Sequence, residues 1–166
     1  MLTSIPEFVR YFEGVRRRTL AAVDRVTPGI LDWAPRPGAL DCGTIIRHLA
    51  GAERFFVVKV AEDRWTDALD PGPRLDLEAS RELLAATHRE QMPRLLALPD
   101  ARLRDRVRDL EGREVRVWRL LMGMAEHEIH HRSQLNSRLS AAGIGAPQIF
   151  GYRMEEVIAR ARAERP

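Results

Sequence analysis

Apolar residues fall into four long stretches with helical spacing, separated by segments rich in Pro, Gly and Asp. In the first, Phe8, Phe12, Val15, Leu20 and Val23 recur at about one turn's spacing between Pro6 and Val26, and Thr27-Pro28-Gly29 supplies a stop, which predicts a helix. Residues 31–43 lose that period and carry Trp33, Pro35, Pro37 and Gly38, the composition of an ordered loop across the end of a bundle. A second helix begins near Asp41 to Thr44, either of which supplies a cap. Ile45, His48, Leu49, Ala52, Phe56 and Val60 line one face of it to about Asp63.

Between Arg64 and Leu77, Pro71, Gly72 and Pro73 interrupt scattered Asp residues, so this stretch is read as a surface connection. A third helix is predicted from Leu77 to Leu98, with Leu83, Leu84, Thr87, Met92, Leu95 and Leu96 as its apolar side. Pro93, lying inside it, should kink it or shorten it. Residues 107–117 place Gly112 in a turn and alternate Val with Arg on its far side, which predicts a small hairpin. The longest regular stretch runs from about Trp118 to Ala142, with Gly143 placed to terminate it. A Gly-rich loop to Tyr152 and a short helix, Met154 to Arg162, complete the chain. Four amphipathic stripes can be buried only against one another, so the expected fold is an all-α four-helix bundle in a single domain spanning residues 1–166.

Composition narrows the function classes. The 166 residues are 45% hydrophobic and 31% charged, the range of a globular domain. No apolar run approaches the roughly 20 residues that span a bilayer, and the start of the chain lacks a signal-peptide core, so a cytoplasmic protein without membrane attachment is expected. A lone Cys42 forms no internal bridge and is expected to be a reduced, partly buried thiol. The formal charge of +3 arises from 27 basic and 24 acidic residues. These interleave along most of the chain, which describes a solvated mixed surface better than a nucleic-acid stripe. Arg16-Arg17-Arg18 is the one dense basic run, read as an exposed helix face with its arginines fanned around it rather than as a phosphate-binding patch.

Candidate chemistry lies in the histidines. Three of the five fall within five residues, His127-Glu128-Ile129-His130-His131, inside the most regular helix. His127 and His131 project from one face a turn apart, so both rings can reach one cation at about 2.0–2.1 Å, while His130 points roughly 100° away from His131. His48 stands on the apolar face of the second helix. Burying three unpaired imidazoles is unfavourable unless they share a metal ion, so His48, His127 and His131 form the candidate site. Three neutral nitrogen ligands leave a divalent ion with an open position, the mark of a catalytic rather than a structural site. Imidazole suits Zn, Ni, Fe or Cu. Trp33, Phe56, Met124 and Tyr152 are candidate pocket walls. A competing reading takes His127-Glu128-x-x-His131 as the HExxH helix of a zinc metalloprotease, with Glu128 as general base and Glu155 or Glu156 as a third ligand; an upstream helical His and the lack of an edge strand for substrate argue against it.

The chain also resembles the DinB-like family of metal-dependent enzymes over most of its length. Four segments carry the resemblance: Leu31-Asp32-Trp33-Ala34-Pro35, Ile46-Arg47-His48-Leu49-Ala50-Gly51-Ala52-Glu53, His127-Glu128-Ile129-His130-His131-Arg132-Ser133-Gln134-Leu135, and Ala146-Pro147-Gln148-Ile149-Phe150-Gly151-Tyr152. Ser133 departs from the Gly common at that place, and is small enough to keep close helix packing. The resemblance implies an up-down-down-up bundle, frequently a homodimer, with a metal held at positions matching His48, His127 and His131. Relatives include enzymes that use a low-molecular-weight thiol. The resulting expectation is a hydrolase or thiol-dependent S-transferase acting on a small molecule, with Zn²⁺ or Ni²⁺ first among the metals and Fe²⁺ a further candidate. A non-catalytic, metal-stabilised stress-response or binding module is the alternative, and nucleic-acid binding is disfavoured.

Overall fold

The structure is a computed structural model and describes residues 2–148 and 151–163. Ile149 and Phe150, part of the fourth motif segment, lie outside the described residues. Among the described residues five helices form: α1 (Ile5–Val23), α2 (Cys42–Glu62), α3 (Leu77–Leu96), α4 (Val117–Ala141) and α5 (Met154–Ala163). The strands β1 (Arg106–Arg108) and β2 (Glu114–Arg116) precede α4, and short 3-10 turns occupy Pro28–Ile30 and Asp100–Arg104.

Local chemistry accounts for the boundaries. The Asp41 carboxylate accepts from the Thr44 backbone N–H at 2.6 Å and Asp76 accepts from Ala79 at 2.8 Å, each satisfying a donor at the first turn of its helix. Asp41, rather than Thr44, is therefore the cap of α2. Gly143, at φ 74°, follows α4 in the left-handed conformation, and the Ile144 N–H returns to the Leu139 carbonyl at 2.8 Å. Pro93 sits in the last turn of α3, so the helix stops at Leu96, two residues short of the expected end. The hairpin pairs Val107 with Val115 and turns through Gly112 at φ 78°.

Helix directions follow from side-chain pairings. Arg54 and Glu62 of α2 pair with Glu90 and Arg94 of α3, so these two helices run parallel. Arg81, near the start of α3, donates to the carbonyls of Val23, Asp24 and Val26 at the end of α1, making that pair antiparallel. Arg25, just past α1, donates to the Gly145 carbonyl just past α4 at 2.8 Å, so α1 and α4 run together. The result is the expected up-down-down-up four-helix bundle. Parallel α2 and α3 need a long return, and residues 63–76 provide it as a strap laid over α2. Helix α2 packs on α3 and α4, and α1 packs on the same two from the other side.

The core is divided into two apolar clusters. One gathers Ile5, Phe8, Phe12, Val57, Leu95, Leu121 and neighbours; the other gathers Val23, Ile45, Leu49, Leu84, Leu135, Leu139 and neighbours. Two residues assigned to apolar faces from the sequence, Leu20 and Leu96, are instead exposed, at 37% and 49%. The buried stripe of α1 passes through Phe12, Val15, Arg16 and Thr19, so a polar pair takes the inward places beside Leu20. Arg16 is thereby not part of an exposed basic face: it is 3% exposed. Cys42 is fully buried, and burial pushes its thiol up to about 11. No helix among the described residues is long and apolar enough to cross a membrane.

Candidate metal centre

Helix geometry delivers the three imidazoles to one place. His127 and His131, one turn apart on α4, face α2, which presents His48 from its second turn. One ring nitrogen from each lies within 4.8 Å of the others. Ring centroids are 5.0 Å apart for His48–His127, 4.7 Å for His48–His131 and 4.4 Å for His127–His131. Nε2 of His48 and Nε2 of His127 approach to 3.1 Å, close to the roughly 3–3.4 Å between two nitrogens that share an ion at about 2.0–2.1 Å. Facing lone pairs at that distance need either a proton between them or a common cation.

Neighbouring groups set the tautomers. The Leu69 carbonyl, on the strap, lies 3.1 Å from His48 Nδ1 and accepts its proton, which leaves Nε2 bare. Gln134 Oε1 does the same for His131 Nδ1 at 3.1 Å, and the Gln134 amide NH₂ donates to His130 Nε2 at 2.9 Å. His130 thus braces the bracing residue and stands outside the cluster. Burial first, then the adjacent imidazoles, lowers His127 to about 3 and His131 to about 4, so both are neutral at neutral pH. Three imidazoles converging on one point, two of them with Nδ1 hydrogen-bonded to an outer acceptor, are a donor set that fits a divalent ion.

Glu128 plays no part in this cluster. It is 2% exposed, turned toward α1, and accepts from Arg16 Nη2 at 3.0 Å, while the same Nη2 donates to Glu53 at 2.6 Å. Glu53 also meets His88 Nδ1 at 3.1 Å, so one polar layer ties α1, α2, α3 and α4 together between the apolar clusters. Burial raises Glu128 and the Arg16 guanidinium opposes that rise. The HExxH reading therefore lacks its general base, and Glu155 and Glu156 lie exposed on α5.

Two clefts lie near the imidazoles, each reaching them through one neighbouring residue, Phe56 or Gln134. One, of about 230 Å³, is walled by Phe55, Phe56, Trp65 and Leu120 under the hairpin tip, with the Phe56 ring 6.2 Å from His127. The other, of about 340 Å³, lies between the 35–40 loop and Gln134 and Arg138. Of the expected pocket walls, Phe56 lines the first. Met124 is core at 2% exposure, and neither Trp33 nor Tyr152, both exposed, lines either cleft. The 31–43 loop reaches the second cleft through Pro35 instead, and Arg160 covers the Tyr152 ring at 4.4 Å. Leu69, Trp65 and the Arg16–Glu53–His88 contacts had no signal in the sequence, since each depends on the path of a loop or on which helices become neighbours. Gln134 had one: it stands three residues after His131, within reach on the same helix.

Residues 11–135 match the family model of the DinB superfamily. Similar solved structures include a DinB-like protein from Bacillus cereus, with a TM-score of 0.77 and 19% identity, covering 89% of this chain and 99% of that one. The DinB-like protein YjoA from Bacillus subtilis gives a TM-score of 0.68 and 21% identity over 82% of this chain and 92% of its own. YfiT from Bacillus subtilis, described as a probable metal-dependent hydrolase with an unusual four-helix bundle topology, gives 0.67 and 19% over 85% and 89%. At these identities the likeness is one of fold. No protein of curated function matches the chain by sequence.

Proposed function

The chain belongs to the DinB superfamily, and from that premise we propose that it is a cytoplasmic, single-domain, metal-dependent hydrolase of a small molecule, with His48, His127 and His131 as the metal ligands. The observation that carries this reading is the convergence of three ring nitrogens within 4.8 Å, two of them from imidazoles lowered to about 3 and about 4. Zn²⁺ or Ni²⁺ suits such a donor set, with Fe²⁺ next. A divalent ion held there supplies Lewis acidity at a free coordination position, worth several kcal/mol (about 3–5) of charge stabilisation. The chain's own residues do the rest: Leu69 and Gln134 hold the imidazole protons away from the centre, and Phe55, Phe56 and Trp65 give an apolar wall beside it for a substrate to lie against.

A thiol-dependent S-transferase is the second reading. It is favoured by the lack of a carboxylate in the cluster among the described residues. A thiol, with a pKa near 8.5, needs far less help from a general base than water does. A homodimer is part of the proposal: α5 exposes Met154, Val157 and Ile158 at 70%, 45% and 42% on one helical stripe, an apolar face that a second copy would cover.

Metal analysis of untagged protein tests the centre. About one ion per chain is expected in the wild type, and loss of it in His48→Ala and His127→Ala; unchanged content in both variants removes the site. Assaying a p-nitrophenyl ester with and without a low-molecular-weight thiol, in the same preparation, separates hydrolysis from thiol transfer. Chelation should abolish turnover while far-UV circular dichroism stays helical; collapse of the fold would instead mark a structural metal.

A further inference from the structure

Three arginines line one small cleft between α1 and α4. Arg17 and Arg18 come from α1 and Arg132 from α4, and Asn136 and Gln148 help to close a space of about 120 Å³. Several arginines on this surface find an acid, as Arg54 finds Glu90 and Arg81 finds Glu78, and others donate to backbone carbonyls, as Arg108 does to Gly112 and Arg116 to Arg104. Among the described residues, none of these three forms an ion pair.

Burial bears on one member most: Arg17 is exposed and Arg18 half-buried, whereas Arg132 is enclosed. Arg132 is 6% exposed, and its contact with protein is a single long hydrogen bond to the Val15 carbonyl at 3.5 Å. Nε of Arg18, a donor, is buried without a partner among the described residues. A guanidinium stays charged at any physiological pH, so the enclosed Arg132, repelled by Arg18 beside it, favours an anion in the cleft. The polar layer relieves this only in part: Glu128, held by Arg16, and Tyr11 offset some of the charge on Arg132.

We propose that this cleft binds the phosphate group of a small molecule, with Arg17, Arg18 and Arg132 donating to its oxygens and the Asn136 amide completing the shell. A carboxylate is matched by one planar guanidinium fork, whereas three forks approaching from two helices suit a doubly charged tetrahedral group. The volume, about 120 Å³, holds one such group, while a nucleic-acid strand needs a groove that tracks its backbone. Arg17 and Arg18 thereby gain a role distinct from that of Arg16, their neighbour in sequence.

Calorimetric titration with inorganic phosphate, against chloride at equal ionic strength, tests the site. It is run on the wild type and on the full chain carrying His48→Ala and His127→Ala with chelator present, so that no ion at the imidazoles can take the phosphate. Saturable binding of one phosphate per chain is expected in both. Arg17→Ala with Arg18→Ala should weaken it by about tenfold or more, as should Asn136→Asp, which sets a carboxylate against the anion. Exposed Arg108, on the hairpin, serves as control, and Arg108→Ala should leave binding unchanged. Glycerol 3-phosphate binding more tightly than inorganic phosphate identifies a phosphate ester as the ligand, and equal binding identifies free phosphate. A phosphate response no larger than that of chloride overturns the site. So does an affinity that survives both the Arg17/Arg18 and the Asn136 changes, or double-stranded DNA that displaces phosphate at physiological salt.

Discussion

The behaviour of a histidine is set by what its second ring nitrogen touches. The Leu69 carbonyl makes His48 a ligand by accepting a hydrogen bond from its Nδ1–H, and Gly51 is what lets that carbonyl come so near. A Cβ on Gly51 would lie 1.9 Å from the Ala68 carbonyl oxygen, so Gly51→Ala must push the strap off α2 and draw Leu69 away from His48. Competition with a fluorescent chelator should then show metal affinity reduced by roughly 10–100-fold, with helix content retained. The titration of His127 and His131 has a definite sign. Their folded-state values, about 3 and about 4, lie below the ordinary histidine value of 6.5, so between those limits the unfolded chain binds more protons. Metal-free protein should therefore keep its full stability above about pH 6.5 and lose it as pH falls toward 3, a slope that flattens in His127→Ala/His131→Ala when urea midpoints are compared. The histidine spacing and the reach of Gln134 to His131 were legible in the chain; the Leu69 carbonyl was not, because a backbone oxygen arriving across a strap carries no side-chain signature.

Among the elements, α1 shows how a helix face mixes roles. Its inward stripe carries Arg16 at the level where α2 offers Glu53 and α4 offers Glu128, and one guanidinium serves both carboxylates. Removing it strands two acids in a closed layer. Arg16→Met should cost about 3–5 kcal/mol in chemical denaturation, the scale found for breaking a buried ion pair. Adding Glu53→Gln and Glu128→Gln to the same chain should recover part of that loss, since no charge is then left unpaired. Periodicity located all four long helices to within a few residues because caps and breakers are local: Asp41, Asp76 and Gly143 act on backbone groups one turn away. It misplaced Leu20, because a period marks a stripe only to within about one residue and the polar members of the true stripe were read as solvent-facing.

At the scale of the whole molecule, topology follows from a handful of inter-helix pairings, and the long 63–76 strap is both the return that parallel α2 and α3 require and the lid over His48. The exposed stripe on α5 bears on assembly. Val157→Asp with Ile158→Asp should convert a homodimer into a monomer in light scattering while leaving the thermal midpoint of the bundle almost unchanged, since α5 buries no side chain in its own chain. Interactions within a turn or two of chain, such as helix caps, the hairpin turn at Gly112 and the His127/His131 pair, act through neighbours in sequence and so could be read from residue order. Which helices run together, where Glu128 turns, and how Arg17 and Arg18 come to share a cleft with Arg132 depend on contacts between residues far apart along the chain. Those contacts exist only once the apolar stripes have been buried and the long loops have chosen their paths.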